Sequence, residues 1–197
     1  MSSDFITVVS GLPRSGTSLM MQMLHAGGLS AVADGQRAAD VDNPRGYFEV
    51  EAIKKLKEDS SWLADAKGKV VKAISMLLFD LPPQHSYRVV FMLRHMDEIL
   101  ASQKEMLKRR GTLKEGGPTD EQMKQYFDTH LTKVKAWLAA QPNFKVLYCP
   151  YNEVLQKPAE YVRQIADFLG GELNQTAMME AVDLSLYRNR NKAAQTA

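Results

Sequence analysis

Residues 5–18 have the sequence Phe-Ile-Thr-Val-Val-Ser-Gly-Leu-Pro-Arg-Ser-Gly-Thr-Ser, and this stretch decides the fold. Phe5 to Ser10 is short, apolar and rich in β-branched residues, which predicts a buried strand. Gly11 to Gly16 predicts a loop, and the pattern from Thr17 to about Ala26 predicts a helix closed by Gly27. A glycine-containing loop between a strand and a helix is typical of a phosphate-binding site, because loop N–H groups and the helix N-terminus converge on an anion.

The loop departs from the G-x-x-x-x-G-K-[ST] pattern of ATP- and GTP-binding proteins. Gly11, Gly16 and Ser18 fit that pattern, whereas Thr17 stands where a lysine normally reaches the β- and γ-phosphates. The loop instead carries a cation at Arg14. We therefore expect an anionic ligand other than a nucleoside triphosphate, with a turn that binds no ligand as the alternative interpretation.

The rest of the chain alternates predicted strands with predicted helices. Continuous apolar runs predict further strands at 69–74, 88–93 and 145–149, and helices are predicted at 49–64, 97–109, 119–140 and 158–170, with a short one from residue 174. Continuous rather than alternating apolar strands favour a parallel sheet that is covered on both faces. The sequence thus predicts a three-layer α/β/α fold with a central parallel sheet, of the P-loop nucleotide-binding type, with residues 1–197 as a single domain.

The amino-acid composition limits the classes of function that this chain can have. Of the 197 residues 45% are hydrophobic and 24% charged, which is ordinary globular composition, and a net charge of +2 does not suggest a dedicated nucleic-acid binder. The single cysteine, Cys149, is more typical of a buried thiol at a strand end than of a nucleophile. His and Cys residues lack metal-site spacing, so we expect no metal. With no signal peptide and no apolar run near the ~20 residues of a membrane span, we expect a cytoplasmic protein.

A second candidate element begins where the predicted strand 88–93 ends. Arg94 follows that strand directly, and Ser102 lies eight residues later on the predicted helix. Ligands bind at the carboxyl edge of a parallel sheet, and an arginine beside a hydroxyl can clamp a second phosphate there. A surface arginine is the alternative interpretation.

Together these segments resemble the sulfotransferases that use 3′-phosphoadenosine 5′-phosphosulfate (PAPS). Residues 13–18 match that family's Pro-[Lys/Arg]-Ser-Gly-Thr-[Thr/Ser] loop for the 5′-phosphosulfate, and Arg94 with Ser102 matches its 3′-phosphate site. Residues 151–170 are similar to its Tyr-Glu-Asp-Leu…Pro…Ile…Phe-Leu-Gly segment, and residues 43–49 to a segment of many bacterial members. The resemblance extends from residue 5 to about residue 170.

The resemblance implies transfer of a sulfonate group from PAPS to an acceptor hydroxyl or amine of unknown identity. It assigns to donor binding Pro13, Arg14, Ser15, Gly16, Thr17, Ser18, Arg94, Ser102 and Tyr151, the last with the weakest support. Arg14 would also stabilise charge on the bridging oxygen of the leaving nucleotide. PAPS has no γ-phosphate, which accounts for the absent P-loop lysine. Family members are often dimers, so a homodimer is a further expectation.

Two segments depart from the family's pattern. Many members carry Lys-x-His at the end of the second strand, with the histidine as general base, whereas here Ile74 stands in place of that histidine two residues after Lys72. Lys72 stays in the predicted catalytic group, and Glu49 is the first candidate for the base, with an ordinary first-turn helix residue as the alternative. The family's C-terminal basic segment is not recognisable; Arg188 is the candidate substitute on the 3′-phosphate, against a solvated basic tail.

Two other functions remain open from the sequence. A kinase-like phosphotransferase on the same fold would need an aspartate near the loop, for which Asp80 is the candidate. A non-catalytic nucleotide-binding module would have lost the base and the C-terminal clamp. The acceptor is not encoded in any motif, although residues 29–47 and 106–123 are the expected walls of its pocket. Basic residues at 108–110 and 114 favour an acidic acceptor or, as the alternative, form a solvated face.

Overall fold

A parallel four-stranded sheet forms the centre of the computed structural model, which describes residues 4–35, 46, 48–113, 116–170 and 172–183. The strands are β1 (Phe5–Gly11), β2 (Val70–Lys72), β3 (Ser86–Leu93) and β4 (Phe144–Pro150). They lie in the order β2-β1-β3-β4, and every neighbouring pair is parallel. The predicted parallel sheet is confirmed.

Helices cover both faces of this sheet. They are α1 (Thr17–Ala26), α2 (Met96–Arg109), α3 (Asp120–Ala140), α4 (Tyr151–Gln156), α5 (Pro158–Leu169) and α6 (Gln175–Glu180). Their ends follow the local sequence: a capping box of Thr119 and Gln122 opens α3, and Pro158 occupies the first turn of α5. None of the helices in the described ranges is both long enough and apolar enough to cross a membrane.

Alternate residues of the central strands enter different apolar cores. Val9 of β1 packs with α1, α5 and α6 on one face, whereas Ile6 and Val8 pack with α3 and three short 3-10 helices on the other. Val90 and Phe91 of β3 divide between the two faces in the same way. Both faces of these strands are buried, which explains their unbroken apolar sequence and gives the predicted three-layer α/β/α arrangement.

The segment between α1 and β2 differs from its prediction. A helix over 49–64 was expected, but the structure has two separate 3-10 helices, Glu51–Lys55 and Ser61–Ala66. The Asp59 side chain accepts a hydrogen bond of 2.9 Å from the backbone N–H of Ser61. Short polar side chains that bond nearby backbone groups compete with a regular helix, and this one interrupts it.

The order of the strands opens a crevice at their carboxyl ends. The chain leaves β1 toward β2 on one side, whereas it leaves β3 toward β4 on the other. Connections that diverge from adjacent parallel strands leave room for a ligand between them. The loop after β1 and Arg94 after β3 lie on either side of this crevice.

Candidate active site

The loop after β1 has a backbone shape that requires its two glycines. Gly11 and Gly16 have φ angles of 145° and 103°. A Cβ atom on Gly11 would lie 2.6 Å from the carbonyl oxygen of Met92, and one on Gly16 would collide with the ring of Tyr151. Both glycines are therefore needed for the positive φ and for the close approach of β3 and α4.

The same loop presents donors suited to an anion. Gly16 is the N-cap of α1 and has no side chain with which to cap the helix, which leaves the first-turn N–H groups available to a ligand. The Ser15 hydroxyl is 1% exposed and has no hydrogen-bond partner in the described part of the chain. Since buried polar groups are normally paired, an anion bound at the loop would satisfy both sets of groups.

On the β2 side of the loop, three polar side chains make contact. The Lys72 ammonium donates to Ser18 Oγ at 3.1 Å and forms an ion pair with Glu49 Oε1 at 3.0 Å. The Lys72 side chain is only 7% exposed, whereas that of Glu49 is 27% exposed. We call Ser18, Glu49 and Lys72 the β2-side cluster; it joins a buried cation, a partly open carboxylate and the start of α1.

On the β3 side, Arg94 is held by several partners. Its Nε donates to Glu98 Oε2 at 2.8 Å, and its Nη1 donates to the backbone carbonyl of Arg14 at 3.0 Å. Its guanidinium also lies 4.6 Å from the centre of the Tyr151 ring, within the range of a cation–π contact. Asn152 Nδ2 donates to Glu98 Oε1 at 3.1 Å.

We call Arg94, Glu98, Ser102, Tyr151 and Asn152 the β3-side cluster. Its contacts with the loop include a hydrogen bond of 2.9 Å from Arg14 Nε to Ser102 Oγ, the bond from Arg94 to the Arg14 carbonyl, and the packing of the Tyr151 ring against Gly16. Burial is the main cause that raises the pKa of Tyr151, and Glu98 adds to it, while Arg94 and Arg14 oppose it. The Tyr151 phenol therefore stays protonated at neutral pH and keeps its ability to donate.

The structure thus brings most of the sequence-predicted site residues together. Arg94 and Ser102, separated in sequence from the loop by about 80 residues, both contact Arg14, and Tyr151 packs against Gly16. Glu49 and Lys72 meet beside Ser18. Pro13 lies in the loop itself, whereas Arg188 and most of the segment 43–49 lie outside the described residues.

Glu98 and Asn152 were not predicted from the sequence. Glu98 follows Arg94 by four residues, a spacing that brings opposite charges together on helices, so this pair had a readable signal. Asn152 had no comparable signal, because its contact with Glu98 joins elements 54 residues apart.

Other candidate groups have structural explanations. Cys149 is fully buried in β4, and burial raises its pKa to about 12, as expected of an unreactive thiol. Asp80 ends a 3-10 helix and forms a 3.4 Å ion pair with Lys57. Within the ranges that the structure describes, no group of three or more His, Cys, Asp or Glu residues is placed to hold a metal ion.

A groove of about 850 Å³ lies between α2, α3 and the connection that joins them. Its apolar lining includes Leu100, Leu107, Leu113 and Met123. With 3.6 residues per turn, the groove-lining positions of α2 lie on nearly the opposite side of that helix from Glu98 and Ser102. The groove and the contacts of Glu98 and Ser102 thus use different sides of α2.

Comparisons with known proteins agree with this arrangement. A family model described as "Sulfotransferase domain" matches residues 6–196. No curated protein matches the chain in sequence.

Similar solved structures include a sulfotransferase from Mycobacterium avium, with 12% identity and a TM-score of 0.55 over 97% of this chain and 70% of that one. A mouse sulfotransferase in complex with PAP has 15% identity and a TM-score of 0.53, over 95% of this chain and 66% of that one. The sulfotransferase domain of a Synechococcus olefin synthase has 13% identity and a TM-score of 0.51, over 100% and 84%. At these identities the likeness concerns the fold.

Proposed function

The chain belongs to the sulfotransferase domain family, and from this premise we propose that it transfers a sulfonate group from PAPS to a hydroxyl or amine of an acceptor. The observation that carries the proposal is the position of the phosphate loop between two separate clusters, each with a buried cation. Lys72 lies on one side of the loop and Arg94 on the other. A donor with a charged group at each end of its nucleotide suits two such positions better than a linear triphosphate does.

The loop is proposed to bind the 5′-phosphosulfate. The open first-turn N–H groups of α1, the Ser15 hydroxyl and the hydroxyls of Thr17 and Ser18 supply donors without a side-chain cap in the way. Arg14 adds a positive charge, and its contact with Ser102 holds that charge at the loop. Charge-assisted hydrogen bonds of this kind are roughly twice as strong as neutral ones.

Arg94 and Ser102 of the β3-side cluster are proposed to bind the 3′-phosphate. Arg94 lies at the carboxyl edge of the sheet, with Ser102 near it through Arg14. The mouse sulfotransferase of similar fold is described in complex with PAP, the 3′-phosphorylated product nucleotide, which supports the assignment. Arg188 remains a proposed further contact to this phosphate, and Tyr151 a proposed contact to the nucleotide.

Glu49 is proposed to act as the general base. In the reaction the acceptor oxygen or nitrogen forms a bond to the sulfur, the bond from sulfur to the 5′-phosphate oxygen breaks, and adenosine 3′,5′-bisphosphate leaves. Glu49 takes the acceptor's proton, and its 27% exposure gives it access to a group outside the loop. Arg14 and Lys72 offset the negative charge on the transferred group and on the bridging oxygen.

The finer features of the protein are part of the same proposal. We propose a single domain that works in the cytoplasm, without a metal ion, and assembles as a homodimer. The acceptor is proposed to approach from the β2 side, where Glu49 is open to solvent. The groove between α2 and α3 faces away from Glu98 and Ser102, so it is not assigned to the acceptor.

Release of adenosine 3′,5′-bisphosphate from PAPS tests this function. The assay compares a panel of phenols, alcohols and amines with a no-acceptor control, and mass spectrometry detects the sulfonated product. The proposal expects acceptor-dependent release and a product heavier by one SO₃ group. Tight bisphosphate binding with no turnover on any acceptor would instead favour a non-catalytic nucleotide-binding module, and magnesium-dependent use of ATP a kinase-like enzyme.

A further inference from the structure

Glu98 is a buried carboxylate at the edge of the proposed donor site, and it takes no direct part in the proposed reaction. Its side chain is 2% exposed, and it accepts hydrogen bonds from Arg94 Nε at 2.8 Å and from Asn152 Nδ2 at 3.1 and 3.4 Å. Buried carboxylates are costly unless they are paired and hydrogen-bonded. The fold keeps this one at a site that is otherwise built to attract anions, so it calls for an explanation.

The geometry of Arg94 supplies that explanation. One nitrogen is bonded to Glu98 and another to the Arg14 carbonyl, while the face of the guanidinium lies on the Tyr151 ring. A free arginine side chain can point its guanidinium in many directions, because it has several rotatable bonds. When two nitrogens of the planar guanidinium are fixed, the remaining donors point in one direction only. Glu98, itself held by Asn152 of α4, thus determines the direction in which the Arg94 donors point.

The contact also reaches the phosphate loop. The carbonyl that accepts from Arg94 belongs to Arg14, a non-glycine residue with φ of 71°. Such left-handed backbone is unfavourable for most side chains and persists where surrounding contacts hold it. The chain of contacts from Glu98 through Arg94 to Arg14 therefore links the two ends of the donor site.

We propose that Glu98 is a positioning residue that acts through Arg94 and makes the donor site selective for nucleotides that carry a 3′-phosphate. The inference rests on the proposed function, because it assumes that Arg94 binds the 3′-phosphate. The carboxylate repels an incoming phosphate to some extent, so its benefit is the fixed direction of Arg94 rather than the attraction of charge. Removing the whole side chain and removing only its charge should consequently have different effects.

Two nucleotides and six variants test the proposal. Competition calorimetry measures the Kd of 5′-AMP and of adenosine 3′,5′-bisphosphate, and the ratio of the two is the selectivity for the 3′-phosphate. Glu98→Ala should lower this ratio by about 10-fold, because Arg94 loses its anchor. Glu98→Gln keeps the shape and still accepts from Arg94, so its ratio should stay within roughly 3-fold of the wild type.

A double-mutant cycle separates action through Arg94 from any other effect. Arg94→Met should lower the ratio by itself, and adding Glu98→Ala to it should change the ratio less than about 2-fold. Glu160→Gln is the matched control, since Glu160 is an exposed glutamate of α5 bonded to Gln164. Its ratio should equal that of the wild type.

Asn152→Ala keeps the proposal testable if Glu98→Ala does not fold. It removes one partner of Glu98 but leaves the ion pair with Arg94, so it should lower the ratio by about 3-fold with the fold intact. An unchanged ratio in both Glu98→Ala and Asn152→Ala, an equal loss in Glu98→Gln and Glu98→Ala, or an additive cycle would each overturn the proposal. A wild-type chain with no preference for the bisphosphate would instead refute the proposed function itself.

Discussion

The two clusters that flank the phosphate loop are built differently. The β2-side cluster consists of one ion pair and one serine, and its carboxylate, Glu49, is 27% exposed in a segment without regular secondary structure. The β3-side cluster joins α2, α4 and the end of β3, and its carboxylate, Glu98, is 2% exposed. A group that must exchange protons with a variable partner needs access, whereas groups that recognise a fixed nucleotide gain from rigidity. We therefore propose that the β2-side cluster serves the chemical step and that the β3-side cluster serves recognition of the nucleotide.

The largest expected effect tests the proposed catalytic role of the β2-side cluster. Glu49→Gln should lower kcat by about 100- to 10,000-fold, since the amide cannot accept the acceptor's proton. The Kd of adenosine 3′,5′-bisphosphate, measured by calorimetry, should change less than roughly 3-fold. Glu51→Gln is the control, because Glu51 lies two residues on and pairs with the exposed Lys54. A Glu49→Gln variant with normal kcat would remove Glu49 from the catalytic group.

The next largest expected effect tests the proposed role of the β3-side cluster in nucleotide recognition. Arg94→Met should weaken the bisphosphate by about 10- to 100-fold, because a hydrogen bond to a charged group contributes about 1.5–3 kcal/mol. The affinity for 5′-AMP should change by less than roughly 3-fold, and exposed Arg163 of α5 provides a control in Arg163→Met. Equal losses for both nucleotides would show that Arg94 supports the loop without reading the 3′-phosphate.

Two serines, one in each cluster, allow a matched test of the proposed division between chemistry and nucleotide recognition. Ser18 accepts from Lys72 on the β2 side, and Ser102 accepts from Arg14 on the β3 side. Ser18→Ala should mainly lower kcat and Ser102→Ala should mainly weaken bisphosphate binding, each by about 2- to 10-fold. Steady-state kinetics and calorimetry on both variants check this, and exchanged effects would mean that the two sides have been assigned the wrong way round.

The smallest expected effect concerns the free energy of unfolding, to which His130 contributes near the β2-side cluster. His130 Nε2 lies 2.8 Å from the Oγ of Ser75, three residues after Lys72, and burial, with a smaller contribution from Lys133, lowers the pKa of His130. The unfolded chain then binds a proton more readily than the folded one, so the free energy of unfolding should fall as pH drops below about 6.5.

Denaturant unfolding at pH 7.5 and 5.5 measures this loss of stability. In His130→Gln the difference between the two pH values should be smaller than in the wild type. The same pH dependence in both proteins would show that other groups cause it.

The sequence predicted the strand, loop and first helix because each depends on neighbouring residues. The glycines of the loop and the apolar run before it specify their own conformation, and the alternation of strands and helices then limits the topology. Arg94 and Ser102 were predicted because Arg94 follows a strand end and because the pair resembles the family's 3′-phosphate site; the structure places both against Arg14. The prediction of one helix over 49–64 was wrong. Hydrophobic periodicity carries no information about the hydrogen bond between the Asp59 side chain and the backbone N–H of Ser61, which interrupts the helix.

The contacts that complete the site were beyond the sequence. Lys72 and Glu49 are 23 residues apart, and Arg14 and Ser102 are 88 apart, so only the folded sheet brings each pair together. Asn152 beside Glu98 depends in the same way on the order of β3 and β4. Most residues of the proposed donor site could therefore be predicted from the sequence, whereas the partners that orient them are seen only in the folded structure.

Calorimetry of the wild-type chain with adenosine 3′,5′-bisphosphate and with ATP plus magnesium tests the central claim most directly. A loop without the P-loop lysine, flanked by Lys72 on one side and Arg94 on the other, should bind the bisphosphate at least about 10-fold more tightly, because a second charge-assisted phosphate contact is gained. Equal or tighter binding of ATP would contradict the account.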